Sequence, residues 1–101
     1  MDRTEFEAML RRDGYEIVAR DMAPNTVNAR DMAPNTVNPD HTHDFDARIM
    51  ATAGALTLVM GGERRTYGPG EWCAVPAGTV HAEEVGPSGA SYVAGRRQPT
   101  A

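Results

Sequence analysis

The chain has 101 residues, enough for one core of the size single domains reach and too few for two. Its 41% hydrophobic and 24% charged content is that of an ordinary globular protein, which sets aside a disordered or membrane-spanning chain. A net charge of −4, with all ten basic residues arginine, sets aside a nucleic-acid backbone or an anionic membrane as partner and leaves small molecules and proteins.

In chain order, Thr4 followed by Glu7 fits a capping box, Phe6, Met9 and Leu10 share one helical face, and Gly14 is a natural stop. A short helix is expected over residues 3–14. The opening MDRTEFEAML lacks the apolar run of a signal peptide, and the single cysteine, Cys73, has no partner for an internal disulfide, so a cytoplasmic setting is expected. From Tyr15 the pattern turns β-like: YEIVARDM, ARIMAT, ALTLVM, RRTY, EWCAVP, TVHAEEV and SYVAG, each bounded by Gly, Pro or Asn. Gly61-Gly62 predicts a two-residue hairpin, and Gly68-Pro69-Gly70 and Pro76-Ala77-Gly78 predict the next turns. Short strands with turns this frequent imply an antiparallel sandwich or barrel.

The segment ARDMAPNTVN at residues 19–28 recurs without change at 29–38. Two copies of ten residues fall short of a solenoid, so one copy is read as an insertion. Because ten is even, a strand that slips by one copy keeps every side chain on its face, and the usual penalty against register shift is absent. Pro24 and Pro34 disfavour a central paired strand, which places the insertion at a sheet edge. The spare copy is then a looped-out bulge, a lengthened strand or a segment exchanged with a neighbouring subunit, and it is expected to promote strand exchange or an altered homodimer. Deleting one copy should then change the oligomeric mass seen by light scattering, and an unchanged mass would sink the idea.

The chemistry lies in two clusters. Gly70-EWCAV-Pro76-Ala77-Gly78-TV-His81 is a strand entered through glycine, left through a Pro-Gly turn and followed by a histidine. It resembles the second cupin motif, G(X)5PXG(X)2H, without a gap. His41, His43 and Gly54 match the first cupin motif, HXH(X)3–4E(X)6G, except for its glutamate: the spacing reaches Ala47 or Arg48 instead. The resemblance covers residues 39–97. It implies a single-domain, all-β, antiparallel cupin β-barrel of jelly-roll type with a short N-terminal helix. It further implies a divalent metal ion (Fe, Mn, Zn or Ni) held by His41, His43 and His81. Within cupins a three-histidine site supports iron-dependent dioxygenation, so the missing glutamate leaves catalysis possible.

The spacing has a physical basis, because residues i and i+2 of a strand face the same side and His41 and His43 can both point inward. His81 is expected from a facing strand. Three neutral imidazoles would leave coordination positions open for water, substrate or dioxygen. Parity puts Glu83 on the face of His81, as a fourth ligand, a general base, a partner of a ligand histidine or a solvated rim residue. Asp44 and Asp46 fall on the opposite face, and Asp46 is expected in an outward salt bridge or a backbone cap. Cys73 reads as a buried structural thiol, Phe45, Ile49, Leu56, Leu58, Met60, Val75 and Tyr92 as core and pocket wall, and Trp72 as facing outward toward a partner subunit.

Three functions follow from these residues. The first is a metal-dependent enzyme that oxygenates or isomerises a small organic molecule, with Glu83 as its catalytic carboxylate. The second is a non-catalytic module that binds a small ligand. In the third, altered strand pairing or oligomerisation through the duplication is the main property.

Overall fold

The computed structural model describes residues 1–22 and 38–99. Most of the duplicated segment, and with it the expected edge insertion, lies outside them. The described elements are helix α1 (Arg3–Arg12) and strands β1 (Glu16–Met22), β2 (Asn38–His41), β3 (Asp46–Met60), β4 (Glu63–Tyr67), β5 (Trp72–Val75) and β6 (His81–Arg97). No helix among the described residues is long and apolar enough to cross a membrane.

The capping box of α1 uses Asp2 and Glu5, not Thr4 and Glu7: the Asp2 side chain accepts from Glu5 N at 2.8 Å while the Glu5 carboxylate accepts from Asp2 N. The acidic cap carries the charge that the positive end of the helix favours, which a threonine hydroxyl lacks. Helical geometry stops at Arg12. Gly14 N–H then bonds Arg11 C=O and Tyr15 N–H bonds Leu10 C=O, the paired closure of a Schellman cap, and Tyr15 and Leu10 pack in the same cluster.

Strands β3 and β6 are the backbone of the fold. Each unites two of the short strands expected from sequence, β3 through Gly54 and β6 through Gly86–Gly89. They pair antiparallel with each other along their length, with register shifts between Ala51 and Ala53 and between Gly54 and Leu56. On one side of this corner β1 pairs with residues 90–96 of β6 and β5 with residues 47–50 of β3. On the other side β2 pairs with the start of β6 and β4 with the end of β3. The result is two antiparallel layers that share two long bent strands, the jelly-roll form of an all-β barrel.

The extra residues at the corner change which side chains face inward. Ala47, Ile49 and Ala51 point into the barrel before the corner of β3, and Leu56 and Leu58 after it. In β6 the inner set passes from His81, Glu83 and Val85 to Ala90, Tyr92 and Ala94. Bulges produce such a change of alternation. Gly54 sits at this point with φ +68°, and a Cβ there would lie 2.3 Å from the carbonyl oxygen of Gly89. The hairpin between β3 and β4 turns through Gly61-Gly62, both at positive φ, as their sequence predicts.

Helix α1 covers the outer face of the first layer. Phe6 and Leu10 are fully buried against Met50, Val93 and Tyr15, each contributing about 1.5–3 kcal/mol of apolar burial. Trp72 faces outward as expected, with its ring 5.9 Å from that of Phe6 and Arg48 stacked over it at 5.8 Å. Arg48 also binds Asp13 at 2.5 Å, tying the helix end to the sheet. Hydrogen bonds from Arg12 and Arg48 hold the Asp13 carboxyl down to about 2, well below its ordinary value. A depressed carboxyl stabilises the fold fully above about pH 4 and loses that contribution as pH falls through about 2. Asp13→Asn should therefore melt below wild type at pH 7, and the gap should close toward pH 2 in thermal scans. A gap independent of pH would show that shape, not charge, matters at this position.

Candidate metal centre

Strand β2 delivers His41 directly opposite His81 in the register with β6. The two histidines thus come from neighbouring paired strands, which corrects the expectation that His81 would face the other two across the barrel. Pairing at a shared register brings opposite side chains within about 5 Å, close enough to share one ion. His43 lies beyond the end of β2, where strand alternation no longer places it. Its carbonyl accepts from Gly78 N–H at 2.9 Å, so the Pro76–Gly78 turn anchors the histidine instead.

The three imidazoles converge, with ring centroids 4.2 Å apart for His41 and His81, 4.8 Å for His41 and His43, and 5.0 Å for His43 and His81. His81 is 1% exposed. Its Nδ1 lies 3.0 Å from the Thr79 carbonyl oxygen, and because a carbonyl only accepts, Nδ1 carries a proton and Nε2 is the nitrogen turned to the site, an N–H donor to Glu83 when protonated and a lone-pair ligand to an ion when not. Burial, followed by the neighbouring His81 and His41, pushes His43 below its ordinary pKa and favours the neutral, ligating form.

Glu83 joins them. One of its oxygens lies 3.3 Å from His81 Nε2 and 3.5 Å from His41 Nε2. Burial raises its pKa, but the hydrogen bond to His81 and the fields of His41, His81 and His43 outweigh that, and the net shift is downward. The carboxylate is ionised. Ligand atoms of His41, His43, His81 and Glu83 all lie within 4.8 Å of one another, and these residues could hold a metal ion. Bonds of about 2.1 Å put neighbouring donors on an octahedral ion about 3 Å apart and opposite donors about 4.2 Å apart, so a contraction of roughly half an ångström closes the set. Three imidazoles and a carboxylate suit Fe, Mn, Zn and Ni alike.

The other candidates fall away from this point. At the position where the first motif has its glutamate, Ala47 is buried in the cavity wall and Arg48 points outward to Asp13. Asp46 caps Ala77 N–H at 2.9 Å and pairs with Arg97 at 3.5 Å, which fits its expected capping role. Cys73 packs against Ala51, Leu58 and Tyr67, and burial pushes its thiol up to about 11, so it is an unreactive packing group.

His43, His81 and Glu83 line a cavity of about 270 Å³, walled by Phe45, Ile49, Val75 and Tyr92 as expected. Leu56 and Leu58 belong to the core behind it, and Met60 is half-buried. Phe45 stacks on His43, with centroids 4.7 Å apart and planes 16° apart. Among the lining residues that were not foreseen is Arg96, whose guanidinium sits 4.9 Å over the Phe45 ring. Alternation from Tyr92 through Ala94 was its sequence signal.

The Cupin_2 family model, described as a cupin domain, matches residues 30–86, more than half of the chain. The chain belongs to the cupin family. Among solved structures, this cupin is similar to the polyketide cyclase RemF from Streptomyces resistomycificus, with 22% identity and a TM-score of 0.62 over 89% of this chain and 62% of that one. It is also similar to a recombinant oxalate oxidase in complex with glycolate, with 22% identity and a TM-score of 0.62 over 84% of this chain and 42% of that one. A third is the cupin domain of an XRE family transcriptional regulator from Enterobacter cloacae, with 16% identity and a TM-score of 0.56 over 83% of this chain and 98% of that one. Identities this low establish the shared fold. A search of curated protein sequences gives no match.

Proposed function

We propose that this cupin is a metal-dependent enzyme that oxygenates or isomerises a small organic molecule in the cytoplasm. His41, His43 and His81 hold one Fe, Mn, Zn or Ni ion, and Glu83 serves as the catalytic carboxylate. The observation that carries the reading is the convergence of four donor atoms within 4.8 Å beside a cavity of about 270 Å³. Cyclase and oxidase chemistry on the same fold, as the names of two structural neighbours indicate, is consistent with it.

A bound ion would supply Lewis acidity and, if redox-active, a site for dioxygen. The chain supplies the rest. Thr79 C=O fixes the tautomer and orientation of His81, and Gly78 N–H fixes the segment that bears His43. Glu83, ionised and facing the cavity, takes a proton from a substrate O–H or C–H and holds it on its carboxylate. Isomerisation then needs only its return at another atom. Ile49, Val75 and Tyr92 keep that step away from bulk water.

Elemental analysis of the protein as purified, and again after reconstitution with each candidate ion, should find about one ion per chain. Oxygen uptake and isomer formation are then screened on the loaded protein. A protein that stays metal-free after reconstitution would refute the site.

The second reading is a non-catalytic ligand-binding module, favoured by the close match in size to the cupin domain of a transcriptional regulator. Ligand binding with no turnover by any loaded form supports it. In either reading the working unit is a homodimer, whose mass the one-copy deletion tests.

A further inference from the structure

The eight arginines whose side chains the structure describes fall into two groups. Six have carboxylate partners: Arg3 and Arg11 on Glu7, Arg12 and Arg48 on Asp13, Arg64 on Glu84, and Arg97 on Asp46. Arg65 and Arg96 have no ion pair among the described residues. Arg65 lies over Tyr67, away from the cavity wall, whereas Arg96 lines the cavity. Alternation along β6 explains the difference between the adjacent Arg96 and Arg97. Arg97 turns to the helix side and meets Asp46 and the Asp13 carbonyl; Arg96 turns inward with Tyr92 and Ala94.

The one acidic residue lining the cavity is Glu83, which is engaged with His81 and His41. The guanidinium carbon of Arg96 lies over the Phe45 ring at 4.9 Å, and that ring stacks on His43. An aromatic ring thus separates a histidine at one end from an unmatched cation at the other. A guanidinium held over a ring by cation–π attraction keeps N–H donors available, and such a group receives a carboxylate through two parallel bonds. Arg96 is itself exposed, which sets it at the mouth of the cavity. The space is about 270 Å³, roughly nine water volumes at about 30 Å³ each, and its walls combine the apolar Phe45, Ile49 and Val75 with polar groups at both ends.

We propose that Arg96 is the specificity-determining residue of this cavity and that the ligand is a small carboxylic acid. Its carboxylate pairs with Arg96 at the mouth, its apolar or planar body lies along Phe45 and Tyr92, and its far end reaches the histidine cluster. The proposal builds on the enzyme reading by naming the substrate class, and Arg96 acts on it by direct contact.

The test is an NMR titration of the full chain with matched probes: acetate against acetamide, and benzoate against benzamide. At least one carboxylate should bind about tenfold more tightly than its amide, the usual scale of a charge-assisted pair. Arg96→Gln should reduce that preference to less than about twofold, Arg96→Lys should keep part of it, and Arg65→Gln should leave it intact. Equal binding of acids and amides, or no binding of any probe, overturns the proposal, as does an undiminished preference in Arg96→Gln. Repeating the titration after metal removal separates the two ideas. A preference that survives chelation and vanishes in Arg96→Gln supports Arg96 whether or not the metal reading stands. A preference that vanishes on chelation but survives in Arg96→Gln places the carboxylate on the ion and overturns Arg96 alone.

Discussion

Replacing His81 with alanine should weaken metal binding by at least about 100-fold, read by chelator competition and by elemental analysis after dialysis. Three features of the residue make the effect large. It is almost fully buried, its Nδ1 is fixed by Thr79, and its Nε2 lies between Glu83 and the ring of His41. Alanine offers no donor, and the ionised Glu83 loses the hydrogen bond that stabilises it. Metal should also stop raising the melting temperature. In wild type, free metal at 100 times Kd adds about 2.7 kcal/mol of stability, and in the variant that gain should disappear. Glu83→Gln keeps the side-chain shape and guards against a folding artefact; it should lose roughly tenfold in affinity while melting near the metal-free wild type. Equal metal content in wild type and His81→Ala would rule out the three-histidine site.

Gly54→Ala tests the fold rather than the site. A left-handed backbone costs a residue with a Cβ about 1–2 kcal/mol, and crowding against the partner strand adds roughly 1–3 kcal/mol. The obstacle is the backbone of Gly89, which is held by pairing between β3 and β6 and has no rotamer to change. A total loss of about 2–5 kcal/mol is a large share of the roughly 5–15 kcal/mol that holds a domain of this kind together. Urea unfolding measures it, and a loss below about 1 kcal/mol would mean that the corner opens readily. Gly54 is also the last residue of the first motif, so the glycine belongs to that motif for a backbone reason and contributes nothing to metal chemistry.

The site was legible wherever its chemistry is local. Two histidines one residue apart and a third after a Pro-Gly turn identified the cluster, and alternation carried Glu83 onto the face of His81. The contribution of Gly78 to His43 was not legible, because a hydrogen bond between residues 35 positions apart leaves no periodic mark. Nor was the continuity of β3 and β6. Gly54 and the Gly86–Gly89 run look like breaks in one dimension, whereas pairing to a partner strand that bends at the same place carries each strand through. The helix cap shows a smaller failure of the same kind: Asp2 and Thr4 both fit a capping pattern, and only geometry decides between them.

The corner in β6 also constrains how the protein can vary in length. Five positions separate Val85 from Ala90, both buried in one cluster, so the histidine end of the cavity uses odd-numbered residues and the arginine end uses even-numbered ones. One residue added between them would leave His81 and Glu83 in place while turning Tyr92, Ala94 and Arg96 to the helix side and Val93 into the cavity. Two added residues would restore every assignment. The corner therefore acts as a phase lock between the two ends of the cavity, and length changes there preserve the pocket only in steps of two.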